Sequence, residues 1–173
     1  MILSDDISKI VENKKRLENA LRVKIIINGN EISVEGIPED EYIAEKVLEA
    51  IDFGFSIPTS LLIKNEDFLF EVLDIKKYTH RKDLEVIRAR IIGKGGKTLG
   101  TLNTLTDCHF EIKDNGVGII GSPELIKNAE DALILIIQGS KQSNVYTFLE
   151  KHHIEPVLDL GLKEKKAKKK SKE

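Results

Sequence analysis

A chain of 173 residues, 40% hydrophobic and 32% charged, has room for one ordinary domain or two small ones and enough apolar residues to build a core. Its 27 Lys and Arg stand against 29 Asp and Glu, yet residues 163–173 alone hold seven Lys and two Glu. The remainder, with 20 basic and 27 acidic residues, excludes nucleic-acid binding over the whole surface and leaves only a local patch.

In chain order, the opening Met1-Ile-Leu-Ser-Asp-Asp has no basic region followed by an apolar run, so no secretory signal is read there. No later run approaches the roughly 20 apolar residues that a bilayer demands. The expectation is a cytoplasmic protein with no membrane partner. A helix is expected over Ser4–Leu21, with Ile7, Ile10, Val11, Leu17 and Leu21 inward. With three residues ahead of it, there is little room for a preceding strand. Val23–Ile27 and Glu31–Glu35 then flank Asn28-Gly29, a strong hairpin signal. Gly36-Ile37-Pro38-Glu39 opens a helix with Ile43, Val47, Leu48 and Ile51 on one face, closed by Gly54. Residues 56–82 read as a linker with a short helix over Ser56–Lys64. Within it Phe68–Ile75 is strand or buried helix turn, and periodicity does not decide between them. Leu84–Ile87 is read as a strand, followed by a glycine-rich loop and a helix carrying Leu99, Leu102 and Leu105. Cys108–Lys113 and Val117–Ile120 flank Asn115-Gly116. Gly121-Ser122-Pro123-Glu124 opens a helix with Leu125, Ala129, Ala132, Leu133 and Ile136 inward, ending at Gly139. A last helix ends near His152-His153, and the lysine-rich remainder is expected to be disordered.

These elements repeat. Gly36 and Gly121, Pro38 and Pro123, Leu48 and Leu133, Ile51 and Ile136, and Gly54 and Gly139 are each 85 residues apart. So are Leu17 and Leu102, Val23 and Cys108, and Ile25 and Phe110, while the two turn dipeptides depart from the offset by two residues. The pattern reads as two copies of one unit.

The chemistry sits in the second copy, at Arg88-Ala-Arg-Ile-Ile-Gly-Lys-Gly-Gly-Lys-Thr98. A nucleotide P-loop would need a glycine five residues before Gly96, where Ile91 stands, and no acidic partner strand follows. The alternative is a Gly-x-x-Gly clamp, Gly93-Lys94-Gly95-Gly96, of the kind that grips about four single-stranded nucleotides. Glycines let two backbones approach, and the following helix offers free N–H groups and a positive dipole end. Arg81, Lys82, Arg88, Arg90, Lys94 and Lys97 stand against only Asp83 and Glu85 over residues 81–98, which supplies the local patch. Ile91, Ile92 and Leu99 interleave with these charges and could floor a groove for bases. Cys108 and His109 alternate across a strand, so Cys108 is expected in the core and His109 at the surface, without a metal. Four scattered histidines and clustered surface acids form no catalytic set. The chain is read as a non-enzymatic binder needing no cofactor.

Ile91-Ile92-Gly93-Lys94-Gly95-Gly96-Lys97-Thr98-Leu99, with Leu102, Thr106, Phe110 and Ile112 at matching spacing, resembles the KH-domain pattern. Together with Ile119-Ile-Gly-Ser-Pro-Glu124, Gly139-Ser140 and Asn144-Val-Tyr146, it is similar to a narrower family. That family is the archaeal two-KH-domain small-subunit rRNA-processing protein, counterpart of the eukaryotic Partner-of-NOB (Dim/PNO type) ribosome assembly factor. The resemblance is specific over residues 74–153 and weaker over 1–73. It implies an α+β fold of two tandem type I KH-like domains, each a three-stranded antiparallel sheet backed by three helices in β-α-α-β-β-α order. The first, over 1–55, has lost its clamp, since the offset places Ser8-Lys9-Ile10-Val11 where Gly93–Gly96 stand. The second spans 83–153, and 154–173 is the tail. Asp107 stands where KH domains usually carry glycine, which should alter the turn into the next strand. The resemblance also implies single-stranded RNA near the 3′ end of small-subunit rRNA as ligand, and assistance to the endonuclease that processes it. The processing endonuclease and the alpha subunit of translation initiation factor two are the implied protein partners. The alternative is a KH-type regulator or translation initiation cofactor acting on other RNA. The expected RNA-binding set is Arg88, Arg90, Ile91, Ile92, Gly93, Lys94, Gly95, Gly96, Lys97, Thr98, Leu99, Phe110, Ile112 and Lys113.

Overall fold

The computed structural model describes the backbone at residues 2–3 and 7–152, with side chains over 7–152. The lysine-rich tail, His153 and residues 4–6 of the expected first helix lie outside the described residues. Strand β1 (Ile2–Leu3) leads to helices α1 (Ser8–Glu12) and α2 (Lys14–Leu21), the hairpin β2 (Lys24–Asn28) and β3 (Glu31–Glu35), and helix α3 (Pro38–Phe53). A short helix α4 (Ile57–Ser60) and a 3-10 turn connect to β4 (Leu69–Asp74), then α5 (Leu84–Ile92) and α6 (Lys97–Thr106). The hairpin β5 (His109–Lys113) and β6 (Gly116–Gly121), helix α7 (Pro123–Ile137) and helix α8 (Gln142–His152) complete the order. Two antiparallel sheets result, in orders β1-β3-β2 and β4-β6-β5.

Four expectations are corrected. Leu84–Ile87 is the first turn of α5, not a strand. Ile87 and Ile91 sit in the core one helical turn apart while Val86 is half exposed, which is the burial pattern of a helix. The strand that completes the second sheet is β4, which pairs along its whole length with β6, from Leu69↔Gly121 to Asp74↔Gly116. It lies inside the span read as a linker. The first helix is broken at Asn13, whose Nδ2 donates back to the Lys9 carbonyl at 3.0 Å in place of continuing the helix. Ile10 is in the core, but Val11 is half exposed, because adjacent residues of one helix lie about 100° apart and only one of the two can face inward here. Finally, there is a first strand: β1 pairs with β3 at Ile2↔Ile32 and Leu3↔Glu31.

The hairpin turns are also shifted. The two-residue loops are Gly29–Asn30 and Asp114–Asn115, closed by Asn28↔Glu31 and Lys113↔Gly116. In each, the first loop residue is left-handed, Gly29 at φ 61° and Asp114 at φ 53°. Core burial sets this register, since slipping by one would turn the inward Ile25, Ile32, Phe110 and Val117 out to solvent. With these turns the offset of 85 holds without the two-residue departure. It holds at the helix ends too: Arg22 and Asp107 both take the left-handed conformation that ends α2 and α6. The turn before β5 is therefore left-handed with Asp107 in place, as a glycine there would make it. Pro38 and Pro123 sit in the first turn of α3 and α7.

Each sheet has its own core. Leu73, Ile75, Ile87, Ile91, Leu102, Phe110, Val117, Ile119 and Leu133 build the second. Ile10, Leu17, Ile25, Ile32, Val47, Leu48 and Ile51 build the first, and Ile120 of β6 joins it. The second sheet thus packs its helices on one face and the end of α3 on the other. Phe53, Phe55 and Phe70 form a ring triad there, with centroids 5.8–6.3 Å apart. Gly118 leaves the room: a Cβ at Gly118 would lie 2.7 Å from Phe53 and 2.8 Å from Phe55. Lys113 Nζ reaches across to the Asp52 carbonyl at 3.0 Å and its carboxylate at 3.3 Å. Helix α8 packs Val145 and Leu149 against α6 and α7.

Candidate nucleic-acid interface

The loop Gly93–Gly96 joins α5 to α6, and its backbone explains its glycines. Gly95 and Gly96, at φ 61° and 76°, are left-handed, which costs other residues roughly 1–2 kcal/mol each, and Gly93, at φ 74° and ψ 173°, lies in a region essentially reserved for glycine. Gly93 is bound more tightly still, because a Cβ there would meet Thr98 Oγ1 and lie 2.7 Å from the Thr98 backbone nitrogen. Nothing lies within 4 Å of where a Cβ of Gly95 or Gly96 would stand, so the crest of the loop is open to an incoming backbone. Gly96 caps α6 without a side-chain hydrogen bond; its amide donates to the Gly93 carbonyl at 3.2 Å and that of Lys97 to the Lys94 carbonyl, and the positive dipole end of a ten-residue helix faces the crest. Lys94 and Lys97 are exposed beside this terminus.

Thr98 lies beneath the loop, buried, and its hydroxyl oxygen accepts from Gln142 Nε2 at 2.8 Å. Gln142 also donates to the Arg90 carbonyl at 3.5 Å, and Arg90 Nη2 donates to the Ser140 carbonyl at 2.8 Å. On the other flank Arg88 Nη1 donates to the Asp114 carbonyl at 2.7 Å, holding the β5–β6 turn beside α5. The Ile75 amide donates to the Asn115 carbonyl of that turn at 2.9 Å.

The expected set is therefore divided. Gly93, Lys94, Gly95, Gly96, Lys97 and Thr98 form the loop and the first turn of α6, and Ile92 stands exposed beside them. Leu99 and Ile112 are half-buried against the second core. Ile91 and Phe110 are core residues and cannot floor a groove. Arg88 and Arg90 each have part of the guanidinium engaged by a backbone carbonyl, and Lys113 is held by Asp52 on the side facing the first core. Cys108 is buried, and burial pushes its thiol up to about 11, which keeps it protonated and unreactive; His109 is exposed. No cluster of three or more metal-ligating side chains occurs among the described residues. Nothing in the sequence pointed to Gln142, since a polar residue at a helix start carries no signal until its partner is known.

A model of the second KH domain of PNO1 proteins, described as a eukaryotic-type KH domain (KH-domain type I), matches residues 69–154. The chain is 27% identical over 145 residues to a KH domain-containing protein of Methanocaldococcus jannaschii, covering 80% of this chain and 64% of that one. It is 31% identical over 146 residues to RNA-binding protein PNO1 of Oryzias latipes, covering 79% of this chain and 58% of that one. The chain belongs to the PNO1/Dim2p family of KH-domain proteins. Dim2p of Pyrococcus horikoshii has the same fold, with a TM-score of 0.77, 27% identity and coverage of 84% of this chain and 90% of that one. A second structure of that family member is its complex with a/eIF2alpha and rRNA, with a TM-score of 0.75 and 26% identity over 82% of each chain. The chain spans about six-tenths of the length of the curated PNO1 and KH-domain relatives it matches. No helix among the described residues is long and apolar enough to cross a membrane.

Proposed function

We propose that this protein binds single-stranded RNA near the 3′ end of small-subunit rRNA through the Gly93–Gly96 loop, and assists the endonucleolytic processing there without catalysing it. The observation that carries the reading is the open, glycine-built crest at the uncapped start of α6, flanked by Lys94 and Lys97. It supplies the positive dipole end of a helix, positive charge and room for a sugar–phosphate backbone. The contact set is Gly93 to Thr98 with Ile92, Leu99 and the unengaged donors of Arg88 and Arg90. The names of PNO1 relatives, one of them a pre-rRNA-processing protein of Aspergillus oryzae, support the rRNA assignment. The Pyrococcus complex supports rRNA and the alpha subunit of translation initiation factor two as partners, and favours a link to initiation as the second reading. A cytoplasmic location follows from that role.

The chain is read as two tandem KH-like units, the first degenerate. Matching strand orders, the constant offset and the paired left-handed helix ends support this division. In the first unit the positions that correspond to the clamp, Ser8–Val11, are helical within α1, so its role is to buttress the second sheet or to dock protein. The test replaces Lys94 and Gly95 together with Asp and measures fluorescence anisotropy with the 3′-terminal rRNA sequence, a scrambled RNA and the matching DNA. The wild-type chain should prefer the rRNA sequence, and the variant should lose binding with an unchanged circular dichroism spectrum. Equal affinity of the folded variant would overturn the loop assignment.

A further inference from the structure

Helix α8 reaches the loop from outside the β-α-α-β-β-α unit. Its entry is tied to both helices that flank the loop. Gln142 Nε2 donates to Thr98 Oγ1 at 2.8 Å on α6 and to the Arg90 carbonyl at 3.5 Å on α5. Arg90 Nη2 returns a bond to the Ser140 carbonyl at 2.8 Å, so α5 and the α8 entry are joined in both directions. Thr98 is the residue against which Gly93 closes, with its side chain where a Gly93 Cβ would be. The described residues give the Thr98 hydroxyl no other hydrogen-bond partner than Gln142. Val145 and Leu149, both buried, fix α8 to the second core, so Gln142 extends from an anchored element. The bond to Thr98 therefore sets the rotamer beneath Gly93, and with it the left-handed path of the loop.

We infer that Gln142 is a positioning residue: through Thr98 it holds the Gly93–Gly96 loop in the shape that receives the RNA backbone, so that α8 presets the clamp. This rests on the RNA-binding reading above for its effect on affinity, but not for its effect on the loop. A loop that must be ordered on binding loses affinity by the fraction of time it is misplaced. Gln142 touches no RNA in this reading and carries no charge, so its removal should leave the salt dependence of binding unchanged.

The experiment uses the full chain with Gln142→Ala, Thr98→Val and the double variant. Hydrogen exchange of the amides of residues 94–98 is measured without RNA, and anisotropy with the short single-stranded RNA. Each single variant should speed exchange at these amides about fivefold or more and raise Kd about five- to tenfold. The double variant should match the single ones, because both remove one bond. The unfolding midpoint of Gln142→Ala should move little. Unchanged exchange in Gln142→Ala overturns the inference whatever RNA does. So do independent effects of the two substitutions, or a loss of affinity accompanied by global destabilisation of matching size. If exchange quickens as expected while the wild-type chain binds no RNA, the latch stands and the RNA reading fails.

Discussion

Gly93 and Gly95 both have positive φ, but Gly93 (φ 74°, ψ 173°) lies in a region essentially reserved for glycine and Gly95 (φ 61°, ψ 30°) in the left-handed one; their neighbours differ too, and so should the outcome of giving each a methyl group. Alanine at Gly93 meets both the φ penalty and the backbone nitrogen of Thr98 at 2.7 Å. Alanine at Gly95 meets the φ penalty alone. Gly93→Ala should destabilise the chain by about 2–4 kcal/mol and Gly95→Ala by about 1 kcal/mol, read by chemical denaturation. Equal losses would show that the packing beneath the loop yields. A second residue-level effect lies on β4 and α7. Burial and then the neighbouring carboxylates of Glu71 and Asp131, with a hydrogen bond to Glu71, raise Glu130 above the ordinary glutamate range. The folded chain therefore holds this proton more tightly than the unfolded one. That contribution is present below about pH 4.3, the unperturbed glutamate value, and is lost as pH rises through the raised one. Glu130→Gln should stabilise the protein at pH 7 and flatten its acid-side stability profile; a destabilised variant at pH 7 would refute this.

At the scale of elements, the matched ends of α2 and α6 make a paired prediction. Arg22 at φ 58° and Asp107 at φ 54° both occupy a conformation that favours glycine. Arginine tolerates it less well than aspartate, whose short polar side chain can bond locally. Arg22→Gly should raise stability by about 0.5–1 kcal/mol and Asp107→Gly by less, measured as the shift in denaturation midpoint. With α1 and α2 joined at Asn13, Ile10 and Leu17 both reach the core.

At the scale of the molecule, the two cores meet through the phenylalanine triad and the Lys113–Asp52 bridge. The bridge is mostly buried, its side chains 30% and 16% exposed, and desolvation offsets much of its attraction. The rings carry the contact, and they need Gly118 to be bare. Gly118→Val should cost about 1–3 kcal/mol in global stability by forcing Phe53 and Phe55 apart, while RNA affinity at low temperature stays near wild type because the loop is on the helical side. A variant as stable as the wild type would mean that the rings have space not evident here. This junction is also why β6 is buried on both faces, with Ile119 in one core and Ile120 in the other.

The repeated spacing of 85 residues, the hairpins, the helices opened by proline and the glycine-built loop were all legible in the residues, because each rests on a local signal: a spacing, a backbone preference, a charge run. Other features were not. Leu84–Ile87 is too short for periodicity to separate strand from helix, and its state was decided by β4, which occupies the place beside β6 that a strand there would have taken. Ile91 and Phe110 looked like a groove floor because apolar residues beside charges suggest one, but packing turns them inward. Lys113 and the two arginines advertise a cationic surface, while tertiary contacts commit part of it to Asp52, Asp114 and Ser140. Gln142 is the reverse case. By itself the chain determined which backbone could take the loop's shape, since glycine enters those dihedral angles at the least cost. What holds the clamp depends on atoms 44 residues apart meeting at 2.8 Å, and only the tertiary structure brings them together.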